Sequence, residues 1–376
     1  MGSYKFKIVV LSLCSIFLLI KCDTTSYNDV INPISFESRI GTDEWDLGSS
    51  IIQTQGLSYY LLGYATPYNN WYSWLAKLDK YGNKEWMKFY QYSFCSDMIL
   101  SDGSELIALF NNNDEIQFAR MNLNGDLLFS KRLKMFDFSV SENGSIIECL
   151  DGNYLVSGWS DSLAIVNGPF NGFITKINPL GETVWKFTFQ NSGFSRCIES
   201  NDGYFYAVGS FRNKIENVSN SLIVKVDSDG TLIWSRIFNS TKFGGLSSVV
   251  RKNDNEIIVC GREDRDMLTL KKIDSMGNVI WETNYLGNSS HSRGNSVTID
   301  NFGRVIVLGS ILRNGFPMTV LIHFDDNVNI VSEKEIEGEY SKSLKTTNDN
   351  GLMFVTQSTS DSSYHEKDVL VFKLAP

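Results

Sequence analysis

Chemistry requires ionisable or nucleophilic side chains brought together, and few residues in this chain can be grouped by spacing. The three histidines, His291, His323 and His365, form no His-x-His or His-x3-His pair, so a transition-metal site is not indicated. Asp227-Ser228-Asp229-Gly230 opens like a calcium loop but lacks the later acid and the terminal Glu, and it reads as a turn. Asp264 and Asp266 flank Arg265 and read as solvated charges. There is no Gly-x-Ser-x-Gly, no phosphate loop and no pair of carboxylates that spacing would set across a cleft. No residue is assigned a catalytic role, and no metal or cofactor is expected. Two groups remain. Asp46, Asp97, Arg196, Glu199 and Arg293 each fall near the start of a strand-like run. Tyr68, Trp71, Tyr72, Phe170 and Phe316 lie in polar connections, with Trp159 just ahead of one. What either group can do depends on the elements that carry it.

Those elements come from a phrase that recurs down the chain. It reads Lys77-Leu78-Asp79-Lys80-Tyr81-Gly82-Asn83-Lys84-Glu85-Trp86, and full copies begin at Lys176, Lys225 and Lys272. Weaker copies begin at Arg120, where Phe129 replaces Trp, and at His323, with a truncated one at Lys373. Self-similarity at such a period signals a solenoid, a propeller or an array. The unit around the first copy reads as four short antiparallel strands. Tyr59 to Tyr64 and Trp74 to Asp79 are apolar runs; Glu85 to Tyr90 alternates in character. Asp at the head of the Asp-x-x-Gly turn caps it, and Gly supplies the positive φ. The Trp opening each fourth strand suits the gap between two stacked sheets.

Four-stranded units repeated radially make a β-propeller, and seven copies predict an all-β fold of seven blades. The last copy runs to Pro376 without a fourth strand, while residues 33–41 resemble the fourth strands. The N-terminal strand is therefore expected to complete the last blade and remove an open edge. The first strands should line the channel, placing the five charged candidates at its mouth. A small polar residue recurs there: Ser49, Ser96, Ser145, Ser248 and Ser296, broken at Arg196 and Leu344. Such a ring could hold an ion or polar ligand, or be what fits where strands crowd. The second-to-third connections vary most in length and share a face with the fourth-to-first linkers. The six aromatics sit there, where they could stack on sugars, anchor a protein, or cover the blade tops.

The phrase resembles the repeats of pyrroloquinoline-quinone-type propellers, in which Gly-x-x-x-Trp follows a turn. It resembles more strongly those of exported propellers of unknown function that read Gly-Tyr-x-x-x-Gly and then Lys-x-Asp-x-x-Gly-x-x-x-Trp. The first half appears here as Gly203-Tyr204-Phe205-Tyr206-Ala207-Val208-Gly209 and as Gly152-Asn153-Tyr154-Leu155-Val156-Ser157-Gly158. The resemblance implies the fold from about residue 33 onward. Quinone-binding members use catalytic carboxylates and a calcium site, for which no matching cluster appears, so the cofactor is not carried over.

The 376 residues are 42% hydrophobic and carry a net charge of −9 without a basic block, which argues against disorder and a nucleic-acid groove. Lys5 and Lys7 precede an apolar run from Ile8 to Ile20, the form of a signal peptide over 1–22, with 23–32 as a linker. Leu19-Ile20-Lys21-Cys22 loosely resembles a lipobox, with Lys21 where that pattern has a small residue, and makes Cys22 a lipidation candidate. Cys95, Cys149, Cys197 and Cys260 lack CxxC spacing and read as buried thiols, with disulfides the alternative. Sequons stand at Asn143, Asn217, Asn239 and Asn288. The expectation is an exported or surface-anchored monomer, an uncatalytic scaffold that binds a protein or glycan on its long-loop face. The alternative is a hydrolase, lyase or quinoprotein-like enzyme at the channel mouth.

Overall fold

A computed structural model describes residues 34–66, 71–112, 115–133, 144–161, 170–213, 216–264, 266–287, 289–358 and 367–376, with backbone only at 161 and 170. The proposed signal segment, Cys22 and the linker to residue 32 lie outside them, as do Tyr68 and His365.

The described residues form seven four-stranded antiparallel sheets. Blade 1 is Asp46–Gln53, Tyr59–Ala65, Tyr72–Leu78 and Lys84–Tyr90. Blade 2 is Phe94–Ser101, Glu105–Asn112, Glu115–Asn122 and Leu127–Leu133. Blade 3 is Ser145–Glu148, Tyr154–Asp161, Phe170–Ile177 and Thr183–Gln190; blade 4 is Ser192–Glu199, Phe205–Asn213, Val218–Val226 and Leu232–Phe238. Blade 5 is Gly245–Asn253, Glu256–Glu263, Met267–Asp274 and Val279–Tyr285; blade 6 is Ser292–Ile299, Val305–Arg313, Phe316–Phe324 and Ile330–Glu337. Blade 7 takes Glu339–Thr346, Leu352–Gln357 and Val369–Leu374, with Phe36–Ile40 as its outer strand, paired from Phe36↔Lys373 to Ile40↔Val369. First strands of successive blades touch all the way round, blade 7 against blade 1 included. The fold is an all-β, seven-bladed propeller.

The repeat phrase is the device that joins blades. Its cation pairs across strands with its Trp: Lys77↔Trp86, Lys176↔Trp185, Lys225↔Trp234, Lys272↔Trp281. The Asp caps its own turn; the Asp79 carboxylate accepts from Tyr81 N at 2.8 Å and Asn83 N at 2.9 Å. The Gly has two reasons to be Gly. Gly230 sits at φ 81°, and a Cβ there would lie 2.5 Å from the Trp185 ring of the preceding blade. Trp185 then donates its indole N–H to Ser228 O of that same turn at 2.7 Å. Trp234 repeats the arrangement, donating to Ser275 O at 3.0 Å. At the ring closure Phe36 takes the place of Trp, lying against Gly82, and Ser38 Oγ donates to Gly82 O at 2.8 Å. Asp227 caps its own turn through Asp229 N and Thr231 N, so the calcium-like segment is the turn expected.

The small polar ring links blades. Ser145 Oγ accepts from Cys197 N of the next blade at 3.2 Å, Ser248 Oγ from Val297 N at 3.2 Å, and Ser343 Oγ from Ile51 N at 3.0 Å. In blades 1 and 2 the equivalent positions are Ser50 and Asp97, opposite Leu62 and Leu109, while Ser49 and Ser96 are the residues that the strand bulge leaves unpaired. Arg196 and Ser343 are in the series rather than breaks in it. The ring holds buried backbone N–H groups that the crowded axis cuts off from water. The four cysteines are free and buried, and burial raises their thiols, that of Cys95 to about 12.

Candidate functional site

A cavity of about 520 Å³ opens on the face that carries the second-to-third connections and the fourth-to-first linkers. Three blades build it. Blade 3 gives Trp159, the linker into blade 4 gives Asn191, and the start of the first strand of blade 4 gives Ser192 and Gly193. Blade 4 gives Ser210 and Arg212 from its second strand and Asn217, Val218 and Ser219 around the start of its third. The linker into blade 5 gives Lys242 and Phe243.

Backbone hydrogen bonds fix the walls. Arg212 N donates to Asn191 O at 2.7 Å, tying the linker into blade 4 to the second strand of that blade. Residues 242–244 run alongside Ser219: Ser219 N donates to Lys242 O at 3.2 Å, and Gly244 N to Ser219 O at 2.5 Å. Gly244 permits that approach, since a Cβ there would lie 2.9 Å from Ser219 O. Below, the Asp264 carboxylate accepts from Thr241 N at 2.7 Å and from Ser240 Oγ at 3.2 Å. The Thr241 bond holds the Asp264 carboxyl below its usual range.

The electrostatics of the cavity are one-sided. Among the described residues no carboxylate lines it, and neither Arg212 nor Lys242 forms an ion pair. The Lys242 ammonium lies 5.0 Å from the centre of the Phe243 ring, and the Arg262 guanidinium lies 5.3 Å from it. Trp159 is half-buried, its side chain 3.2 Å from where a Cβ on Gly193 would stand.

Of the aromatic candidates whose side chains are described, Trp159 alone lines this cavity. Trp71 is 45% exposed but belongs to a separate cluster, stacked on Tyr64 at 6.1 Å and edge-on to Phe94 at 4.2 Å. Tyr72 is half-buried against Phe89 at 5.5 Å. Phe316, at 70% exposure, opens the third strand of blade 6, three blades from Trp159. Phe170 begins the third strand of blade 3 and pairs with Asp161. Sequence reasoning placed the cavity's face but named neither Arg212 nor Lys242. The signal was present in Lys242-Phe243-Gly244-Gly245, a cation and an aromatic fixed by glycines in a linker.

The five charged candidates are dispersed. Asp97 and Arg196 meet, at 3.5 Å. The Asp97 carboxylate also accepts from Ser50 Oγ and Met98 N at 2.9 Å and from Ile146 N at 3.3 Å, so its bonding capacity goes into the blade links. Lys345, from the first strand of blade 7, feels both charges; burial draws its pKa down, with Asp97 opposing and Arg196 adding. Arg293 stays in reach of water, though protein surrounds its guanidinium; that crowding, then Arg262, lowers its pKa, and it donates to Ser247 Oγ at 3.4 Å. Asp46 is buried, accepting from Thr42 N at 2.6 Å and from the Trp74 indole at 2.7 Å. Burial lifts its carboxyl to about 6. Glu199 differs from the expectation: it ends its strand rather than starting it, and accepts from Leu150 N at 2.7 Å on the opposite face. Among the described residues, no group of three His, Cys, Asp or Glu is placed to hold a metal.

Neither any protein-family model nor any curated protein matches this sequence. The structure resembles the Dos1 propeller with a TM-score of 0.52 at 11% identity, over 91% of this chain and 94% of that one. It resembles the extracellular domains of Drosophila Semaphorin 1b equally, at 0.52 and 8% identity, over 90% and 86%. A quinohemoprotein alcohol dehydrogenase from Pseudomonas putida HK5 also scores 0.52 at 11% identity, covering 86% of this chain but 65% of that one. At such identities the likeness shows the propeller fold and nothing finer.

Proposed function

We propose that this protein is a non-catalytic docking propeller, exported or held at the cell surface, with the cavity between blades 3 and 5 as its working site. The observation that carries the reading is the cavity itself. It lies where variable connections meet on a rigid scaffold, and it combines an indole with two unpaired cations. The fold alone decides little, since it serves an alcohol dehydrogenase and also Semaphorin 1b, which forms a complex with Plexin A in Drosophila. An enzymatic reading needs free acids or bases gathered at one point. Asp97, the candidate that meets another candidate, is already occupied by four donors. The quinone and its calcium would need a carboxylate cluster, and among the described residues none stands at the channel.

Pull-down from the host surface with tagged protein tests the docking reading. Wild type should capture a partner that Trp159→Ala loses, while Phe316→Ala keeps it; equal capture by all three would overturn it. Export is tested by sequencing the mature N-terminus, expected near residues 22–26, with acylated Cys22 marking a lipid anchor. An intact Met1 would overturn export.

A further inference from the structure

The cavity's charge is out of keeping with the rest of the molecule. The chain has 43 acidic against 34 basic residues, so a surface patch taken at random should be acidic. Here two cations from different elements, Arg212 and Lys242, face one space with no lining carboxylate among the described residues. Like charges held together without a counter-ion repel, and an anion placed between them relieves that cost. The Arg guanidinium presents a planar fork that matches the two oxygens of a carboxylate or sulfate; the Lys ammonium adds a point charge. The Phe243 ring, 5.0 Å from Lys242 Nζ, restrains the ammonium at the wall.

Charge is half of the pattern. The other half is an indole, Trp159, beside amide and hydroxyl groups from Asn191, Asn217 and Ser210. A flat apolar face next to groups that both donate and accept hydrogen bonds suits a sugar ring, which has an apolar C–H face and a rim of hydroxyls. A volume of about 520 Å³ falls within the usual range of small-ligand sites, about 300–1,000 Å³, and suits a short oligosaccharide.

We propose that this cavity binds an acidic sugar, with its carboxylate or sulfate on Arg212 and Lys242 and its ring stacked on Trp159. The inference rests on the docking reading and narrows it from a protein or glycan to an acidic glycan. A protein partner recognised through acidic side chains is the competing outcome.

The test is calorimetric titration of the full chain with four probes: a short oligogalacturonate, a heparin-derived tetrasaccharide, a neutral chitotetraose and a hexaglutamate peptide. One or both acidic sugars should bind, with the neutral sugar and the peptide at least tenfold weaker. Arg212→Ala and Lys242→Ala should each weaken the acidic sugar at least tenfold and flatten its salt dependence. Trp159→Ala should weaken it and leave the salt dependence unchanged. Thermal melts of the variants should match wild type, which separates lost binding from lost fold. Hexaglutamate binding as tightly as the sugars, or chitotetraose matching them, overturns the proposal. Absence of binding by either acidic sugar overturns it too. In each case the surface pull-down with Trp159→Ala still reports on docking by itself.

Discussion

Two concavities of similar size, about 520 and 670 Å³, differ in origin and in charge. The larger lies between the outer strands of blades 6 and 7, lined by Glu37, Arg39, Lys334, Glu335 and Glu337 with Ile336, Leu370 and Phe372. Its charges are of both signs, and two of them are paired: Arg39 with Asp368 at 3.3 Å, and Glu335 with Arg313. It opens where the joining device is missing on both sides. Ser332 stands opposite His323, where the phrase has Trp, and blade 7 has no third-to-fourth turn to receive a ring because its outer strand is Phe36–Ile40. The smaller concavity lies beside two complete joints, Trp185 on Gly230 and Trp234 on Gly277. Loops on the opposite face shape it, and its cations are unmatched. Volume alone therefore does not mark a working site; one cleft is an incompletely sealed joint, and the other is a built surface.

The comparison predicts a graded set of effects. The largest concerns the closing blade. Deleting residues 33–41 exposes the edge of Val369–Leu374 and should leave the protein aggregated, as read by size-exclusion chromatography. A soluble, cooperatively melting product would show that the ring does not need this strand.

Next come the joints. Trp185→Ala should lose about 3 kcal/mol in denaturant unfolding, through lost packing on Gly230 and the lost bond to Ser228 O. The reverse change, Ser332→Trp, should gain less than about 1 kcal/mol, because the turn that would receive the ring is absent. A larger gain would mean that the blade 6–7 cleft is simply an unfilled Trp site.

A pH effect of similar size isolates Asp46. Its carboxyl is raised by burial from 3.8 to about 6, so the folded state favours the protonated acid. That contribution is full below about pH 4 and is lost as pH rises through about 6. Asp46→Asn removes it, so the stability of wild type relative to the variant should fall by up to about 3 kcal/mol from pH 4 to pH 7. A difference independent of pH would contradict the assignment. The smallest effect is expected at Phe316, whose exposed ring should change stability by no more than about 0.5 kcal/mol on substitution by Ala.

The fold was legible because the repeat states its own packing rule. The Trp and the Gly of successive copies are two halves of one contact, so their recurrence counts the blades. The closing strand was legible because Phe36 and Ser38 do at Gly82 what a Trp strand does elsewhere. The site was legible only as a face. Trp159, Arg212 and Lys242 lie roughly 30 to 50 residues apart in sequence order along separate blades, and they converge through inter-blade geometry that no local spacing encodes. The polar ring was misaligned at Ser49 and Ser96 because the turn glycine used to count from stands one place early there: Leu57 N and Ser104 N donate to Thr54 O and Ser101 O, the turn bond that Gly203 N makes to Ser200 O in blade 4. Trp71 stood out as an exposed aromatic, yet its ring completes a cluster with Tyr64 and Phe94.

Hydrogen–deuterium exchange, with and without saturating acidic oligosaccharide, tests the central claim most directly. The account predicts added protection over residues 210–213, 216–219 and 240–245, with none over 36–40 and 330–337, whose cleft is the larger of the two. Protection at the blade 6–7 cleft instead, or no protection at Arg212 and Lys242, would contradict it.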